Sequence, residues 1–219
     1  MILYKYLRRE HANMLLAEGR IRLGSLHAYQ AMEATGDTAR GDADEGLARV
    51  TVVPTYRQPS GSTISRTVAG LLGLGPHVEG VTVFDHVSIR RSTEAQLFCV
   101  ATVPRYKIMT GFDCDTCIEI HEPIALAQCV QREFEKIGFD SWGWVPVRYV
   151  QSRVGTHLDM DALSYGGENK DLRFAWQREV RGVWLPRPGV EVLPFRDLVC
   201  PDLPRFCRLH PYSRLLNAS

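Results

Sequence analysis

The chain has 219 residues, of which 45% are hydrophobic and 23% charged, the values of a globular chain long enough for one sizeable core and short for two. Its 26 basic and 25 acidic residues leave a formal charge of +1, which excludes a bulk attraction to nucleic acid or anionic lipid, and the basic doublets Arg8-Arg9 and Arg90-Arg91 are short. No run approaches the roughly 20 apolar residues that span a bilayer, and Met1 to Leu7 holds Lys5 and runs straight into Arg8, Arg9 and Glu10, unlike a secretory leader, so the expected compartment is cytoplasmic, with six reduced cysteines.

Ile2 to Leu7 reads as a strand with Tyr4 and Tyr6 on one face, and Glu10 to Glu18 as a short helix closed by Gly19. Arg20 to Leu23 reads as a second strand, with Ile21 and Leu23 turned one way and Arg20 and Arg22 the other. Ser25 is placed to cap a helix running through Tyr29 to Glu33. Thr35 to Gly46 and Gln58 to Ser65 are polar loops on either side of a β-rich run, Arg49 to Thr55. Val81 to Ile89 and Gln96 to Val103 are strands joined across Arg90 to Glu94 as a hairpin.

Thr116 to Ile120 is a further strand, half-buried by its alternation of Cys117 and Glu119 around Ile118. Pro123 to Ile137 carries helical apolar spacing at Ile124, Leu126, Ala127, Val130, Phe134 and Ile137, with Pro123 suited to the first turn. Val145 to Val150 is a strand that follows the pair Trp142 and Trp144, Gln151 to Asn169 is rich in loop residues, and Pro186 to Gly189 makes a turn. Strands outnumber helices without alternating with them, so the expected class is α+β, as one domain over residues 1–219 with an irregular tail from about Pro201.

Two constellations carry chemistry. In Gln177-Arg178-Glu179-Val180-Arg181, strand periodicity puts Gln177, Glu179 and Arg181 on one face and Val180 on the core side with Trp176 and Trp184 flanking it. A carboxylate beside an amide can hold a ribose hydroxyl, stabilise an oxocarbenium-like transition state and orient a nucleophile. The plainer alternative is a solvent-facing polar stripe with Glu179 paired to Arg181. The second constellation is amino-terminal: Arg22 or Lys5 could grip a pyrophosphate, and Tyr6 or Tyr29 could stack on a flat heterocycle. Its plainer alternative is ordinary strand packing.

The opening Leu3-Tyr4-Lys5-Tyr6, the segment Gly19 to Leu26 with Tyr29 and Glu33, the strand Gln96 to Thr102, and Lys170, Phe174, Gln177, Glu179 and Arg181 together resemble a group of bacterial proteins. These open on an LYRY-like strand and close on a K...F..Q.E.R pattern. The layout is also similar to ADP-ribosyltransferases. The resemblance implies two small, mostly antiparallel sheets flanked by a few helices, with NAD as substrate in the cleft between them. It implies Glu179 as the catalytic glutamate, Gln177 as its partner two residues earlier, and Arg22 or Lys5 on the NAD phosphates. Tyr6, Ser25 and Tyr29 join them as NAD contacts, and Thr102 stands in the hydroxyl-rich middle strand, where Val100 and Ala101 replace the further hydroxyls of the family. The implied activity is ADP-ribosyl transfer to a macromolecular acceptor, protein or nucleic acid, or hydrolysis of NAD, in a toxin or phage-defence setting.

Two rival readings stand beside it: a non-catalytic nucleotide- or protein-binding module, and a small zinc-stabilised protein using Cys114, Cys117 and His121 or Cys200, Cys207 and His210. The sites expected from sequence contain no metal. The acidic stretch Asp37 to Glu45 lacks the ligand order of a calcium loop and reads as solvated.

Overall fold

The computed structural model describes residues 1–34, 36, 47–57, 82–91, 94–151, 154–156 and 169–211. Strand β1 (Leu3–Leu7) leads into helix α1 (Arg9–Glu18), which turns Ala12 and Leu15 inward. Gly19 ends the helix in the left-handed region at φ 65°, and its N–H returns to Leu15 O at 3.1 Å. A side chain there would meet the carbonyl of Cys200, whose own N–H donates to Gly19 O at 2.9 Å. Strand β2 (Arg20–Ser25) follows, with Ile21 and Leu23 buried and Arg20 and Arg22 exposed. Helix α2 (Leu26–Ala34) starts with Ala28 N–H donating to Ser25 Oγ at 3.1 Å.

The remaining elements are β3 (Leu47–Arg57), β4 (Thr82–Arg91), β5 (Gln96–Ala101), helix α3 (Tyr106–Gly111), β6 (Thr116–Ile120) and helix α4 (Pro123–Glu135). After them come β7 (Phe139–Pro146), β8 (Arg148–Val150), β9 (Val154–Thr156), β10 (Asn169–Asp171), a 3-10 turn (Leu172–Gln177) and β11 (Glu179–Pro186). The described chain closes with β12 (Phe195–Val199), a second 3-10 turn (Leu203–Phe206) and β13 (Cys207–Leu209).

Eight of these strands form one branched, antiparallel sheet. One path runs β12-β2-β5-β1-β6-β13, and β11 joins the other edge of β5 and carries β7 beyond it. β3 pairs with β4 and β9, and β8 pairs with β10, in two small separate sheets. The class is α+β, as expected. Where two small sheets were expected, the described residues form this one large sheet, whose two arms diverge at β5, and the two small sheets beside it.

Side-chain parity across the sheet separates the cores. Leu3, Phe98, Val100, Ile118, Ile120, Val180 and Trp184 face α1 and α4, where Leu126, Val130 and Phe134 complete the main core. On the opposite face Tyr6, Ala101 and Cys117 pack with Ile108 and Met109 of α3, and Leu97 and Val183 pack with Leu26 of α2.

Several expectations are corrected. β4 and β5 form no hairpin, because β4 pairs with β3 while both edges of β5 are claimed by β11, β2 and β1. Trp142 and Trp144 lie within β7, and the expected strand 145–150 breaks at Val147, whose N–H leaves for Glu179 O at 3.1 Å. β6 is buried throughout, since β1 and β13 cover its edges and both faces are packed. Ile124 is 71% and Ile137 39% exposed, outside the buried stripe of α4. The tail is ordered through Leu209: Leu203 enters the core and β13 adds to β6. The loops expected at 35–46 and 58–65 lie, apart from Gly36, outside the described residues. Among the described residues no helix is long and apolar enough to cross a membrane.

Replacing Gly19 by alanine forces a Cβ into both a left-handed backbone and a neighbouring carbonyl. Gly19→Ala is expected to lower the free energy of unfolding by at least about 2 kcal/mol, read from the urea midpoint at unchanged m.

Candidate functional site

The cavity begins with a shared strand edge. β2 pairs with β5 only at Gln96 and Leu97, and β1 only at Ala101. Residues 98–100 therefore have no strand partner on that edge, and a cavity of about 520 Å³ opens there. Lys5 reaches into the gap: its Nζ donates to Cys99 O at 2.7 Å and lies 4.7 Å from the centre of the Phe98 ring. An ammonium thus satisfies a carbonyl that a strand would otherwise have taken. Leu15 and Met14 from one side of the sheet, and Tyr29, Cys99 and Glu179 from the other, line the same space.

Its floor is charged and buried. Glu179 is 8% exposed, Lys170 3%, Arg181 1% and Gln177 1%. Arg181 Nε donates to Glu179 Oε1 at 2.7 Å, and Lys170 Nζ donates to Glu179 Oε2 at 3.1 Å and to Gln177 Oε1 at 2.8 Å. Burial alone would raise the Glu179 carboxyl, but Arg181 and Lys170 outweigh it and hold it well below the usual carboxylate range. Gln177 is not on a strand, as periodicity suggested. It ends a 3-10 turn, and Arg178 at φ 49° then swings the chain into β11. The left-handed residue is what lets Gln177 and Glu179 both face inward. The solvent-facing stripe is thereby excluded, although its Glu179–Arg181 pair is real and buried.

The other expected residues divide. Lys5, Tyr6, Arg22, Tyr29, Gln177 and Glu179 all line the cavity, whereas Ser25 and Thr102 do not. Ser25 is the buried cap of α2. Thr102 is exposed and clamps the left-handed turn, its N–H and Oγ1 donating to Arg178 O at 2.9 and 3.3 Å. The Tyr6 hydroxyl donates to Val103 O and accepts from Arg105 N–H, both at 2.7 Å, so Tyr6 tethers the start of α3. Arg22 stands on the rim in a two-point pair with Asp197 at 2.8 and 2.9 Å, which leaves its Nη1 hydrogens outside that pair. Trp176 packs on Phe112 rather than beside Val180.

Sequence reasoning did not place Asp197, Tyr149 or Phe195 at the site. Asp197 sits opposite Arg22 in the β12–β2 register, and Phe195 lines the rim. The Tyr149 hydroxyl accepts the Glu179 N–H at 2.7 Å. Lys170 stood in the closing pattern but without a role. Cys99 borders Glu179, and burial pushes its thiol up to about 12, which removes it as a thiolate nucleophile at neutral pH. Of the four cysteines of the zinc reading, Cys117, Cys200 and Cys207 are buried in apolar clusters and Cys114 is half-buried against one of them, and His210 turns Nδ1 to Glu119 at 3.2 Å. Among the described residues no group of three or more His, Cys, Asp or Glu side chains is arranged to hold a metal ion. Comparison of the chain with family models, with curated proteins and with solved structures finds no match.

Two outcomes follow from these contacts. Tyr6→Phe is expected to cost about 1–3 kcal/mol in thermal or urea unfolding, because it strands the Arg105 N–H and Val103 O. Glu179→Gln, which leaves two buried cations without their carboxylate, is expected to cost about 3–5 kcal/mol at pH 7. A depressed folded pKa stabilises above the unfolded carboxylate value of about 4.3, and that contribution is lost as pH falls below it. The gap between wild type and Glu179→Gln, measured by urea unfolding across pH, should therefore narrow below about pH 4.

Proposed function

We propose that the protein cleaves the nicotinamide–ribose bond of NAD and passes ADP-ribose to an acceptor, either a macromolecule or water. The observation that carries this reading is the convergence of Glu179 and Gln177 with Lys5, Arg22 and Tyr29 on one cavity. The volume lies within the range of ligand sites, roughly 300–1,000 Å³.

Glu179 is ionised and held from two sides, yet each carboxylate oxygen has a second lone pair. A ribose hydroxyl can donate to one of them. As the C1′–N bond breaks, the electron pair leaves with neutral nicotinamide, and positive charge develops on the ribose next to a carboxylate that needs no reorganisation. Arg22 and Lys5 supply cations for the pyrophosphate, and Tyr29 offers a ring face to a base. Gln177 steers the nucleophile, whose proton leaves with solvent.

A second reading, a non-catalytic nucleotide-binding module, is favoured by one feature. Both Glu179 oxygens already serve a cation, which weakens the carboxylate as a partner for a developing positive charge.

Incubation with adenylate-labelled NAD separates the two. The enzymatic reading expects nicotinamide release by the wild type, a loss of about 100–1,000-fold in kcat for Glu179→Gln with circular dichroism of the folded protein retained, and weaker NAD binding for Arg22→Ala. Binding module behaviour is NAD affinity without turnover, unchanged in Glu179→Gln. No consumption, no label transfer and no NAD-induced thermal shift would remove the nucleotide reading altogether.

A further inference from the structure

The two-stranded sheet of β8 and β10 stands apart from the main sheet, yet it supplies two contacts to one glutamate. In its parallel register Lys170 is opposite Tyr149. The Tyr149 hydroxyl accepts the Glu179 N–H, and the Lys170 ammonium donates to Glu179 Oε2. The same ammonium donates to Gln177 Oε1 and lies 4.8 Å from the centre of the Phe174 ring. Asp171, the next residue of β10, caps the 3-10 turn by accepting the Arg173 N–H at 2.8 Å, which sets the path of the chain to Gln177.

We propose that Lys170 is the positioning residue of this cavity, acting through Gln177 and Glu179 rather than on the reacting atoms. An ammonium has donors and no acceptor, so the Gln177 amide must turn its oxygen to Lys170 and its Nε2 the other way. Gln177 is thereby fixed as a donor on its Nε2 side and is not a base. Lys170 likewise fixes one oxygen of Glu179 while Arg181 fixes the other, so the carboxylate plane is set before a ligand arrives. Among the described residues, the charged or titratable side chains around that carboxylate include Lys170 on β10, Arg181 on β11, Cys99 on β5, Tyr149 on β8 and Tyr29 on α2. Lys170 also holds Gln177, through its Oε1.

The catalytic consequence rests on the NAD-cleaving reading, whereas the ordering itself is measurable without turnover. The experiment is a carboxyl-carbon-labelled glutamate NMR titration of the full chain, with the Glu179 signal assigned through Glu179→Gln, on wild type, Lys170→Met and Lys170→Arg. Lys170→Met is expected to raise the Glu179 midpoint by at least about one pH unit, and Lys170→Arg to keep it low. With NAD, Lys170→Met is expected to lower kcat at least about 100-fold, to leave the NAD Kd within about threefold and to move the acid limb of the kcat profile upward. Lys170→Arg should recover at least about a tenth of wild-type kcat. An unmoved midpoint, equal losses of affinity and turnover, or an arginine no better than methionine overturns the proposal. If Lys170→Met does not fold, Lys170→Gln carries the same titration, and failure of both to fold assigns Lys170 to stability alone and overturns it. A wild type that consumes no NAD removes the enzymatic reading and leaves the titration decisive for Lys170.

Discussion

Two strands meet the same edge of β5, and neither takes all of it. β2 holds residues 96 and 97, β1 holds residue 101, and the backbone between them must be satisfied in another way. Lys5 does part of this by donating to Cys99 O. The rest of the architecture follows from the divergence: α1 bridges β1 to β2 across the gap, the apolar packing on one face splits into two small clusters, and the space between them becomes a cavity. A fully paired sheet would have had a solid floor there.

The floor of that cavity carries three charges that water barely reaches. Ion pairs of this kind are a poor route to stability, since hydrophobic side chains of similar volume often do as well or better. Here the Glu179 N–H donates to the Tyr149 hydroxyl, while the two carboxylate oxygens accept from the two cations. Loss of one member is costly even where the assembled set contributes little, because it leaves the remaining charges buried without a partner.

Much of the frame was legible in short-range pattern. Gly19 announced the end of α1, Ile21 and Leu23 against Arg20 and Arg22 announced β2, and Pro123 announced α4, because helix caps and strand alternation are local. The convergence of Lys5, Arg22, Tyr29, Gln177 and Glu179 was reachable through a scattered resemblance, and the cavity does bring those five together. What escaped was set by long-range pairing. Nothing local in Thr82 to Arg91 says that its partner is β3 rather than β5, and nothing local in Cys207 to Leu209 says that β6 has an edge to offer. Thr102 and Ser25, expected as NAD contacts, stand outside the cavity lining for a related reason: a hydroxyl can serve as a backbone clamp or a cap, and both hydroxyls here meet main-chain atoms.

The spacing of Gln177 and Glu179 shows how a sound conclusion can rest on the wrong local geometry. Strand periodicity puts residues two apart on one face, and the two side chains do share one. They do so through a 3-10 turn and a left-handed arginine. A non-glycine residue at positive φ is held only where its surroundings over-determine it, and Arg178 is held by Thr102 through its carbonyl and by Ala175 through its N–H. With Arg178 and Gln177 extended, the β11 ladder would have continued along Thr102 and Val103 and moved the amide away from Lys170. The strained turn therefore brings the amide back over the carboxylate, so that one ammonium can reach both. The arrangement of the site depends on that turn as much as on the identity of the residues it joins.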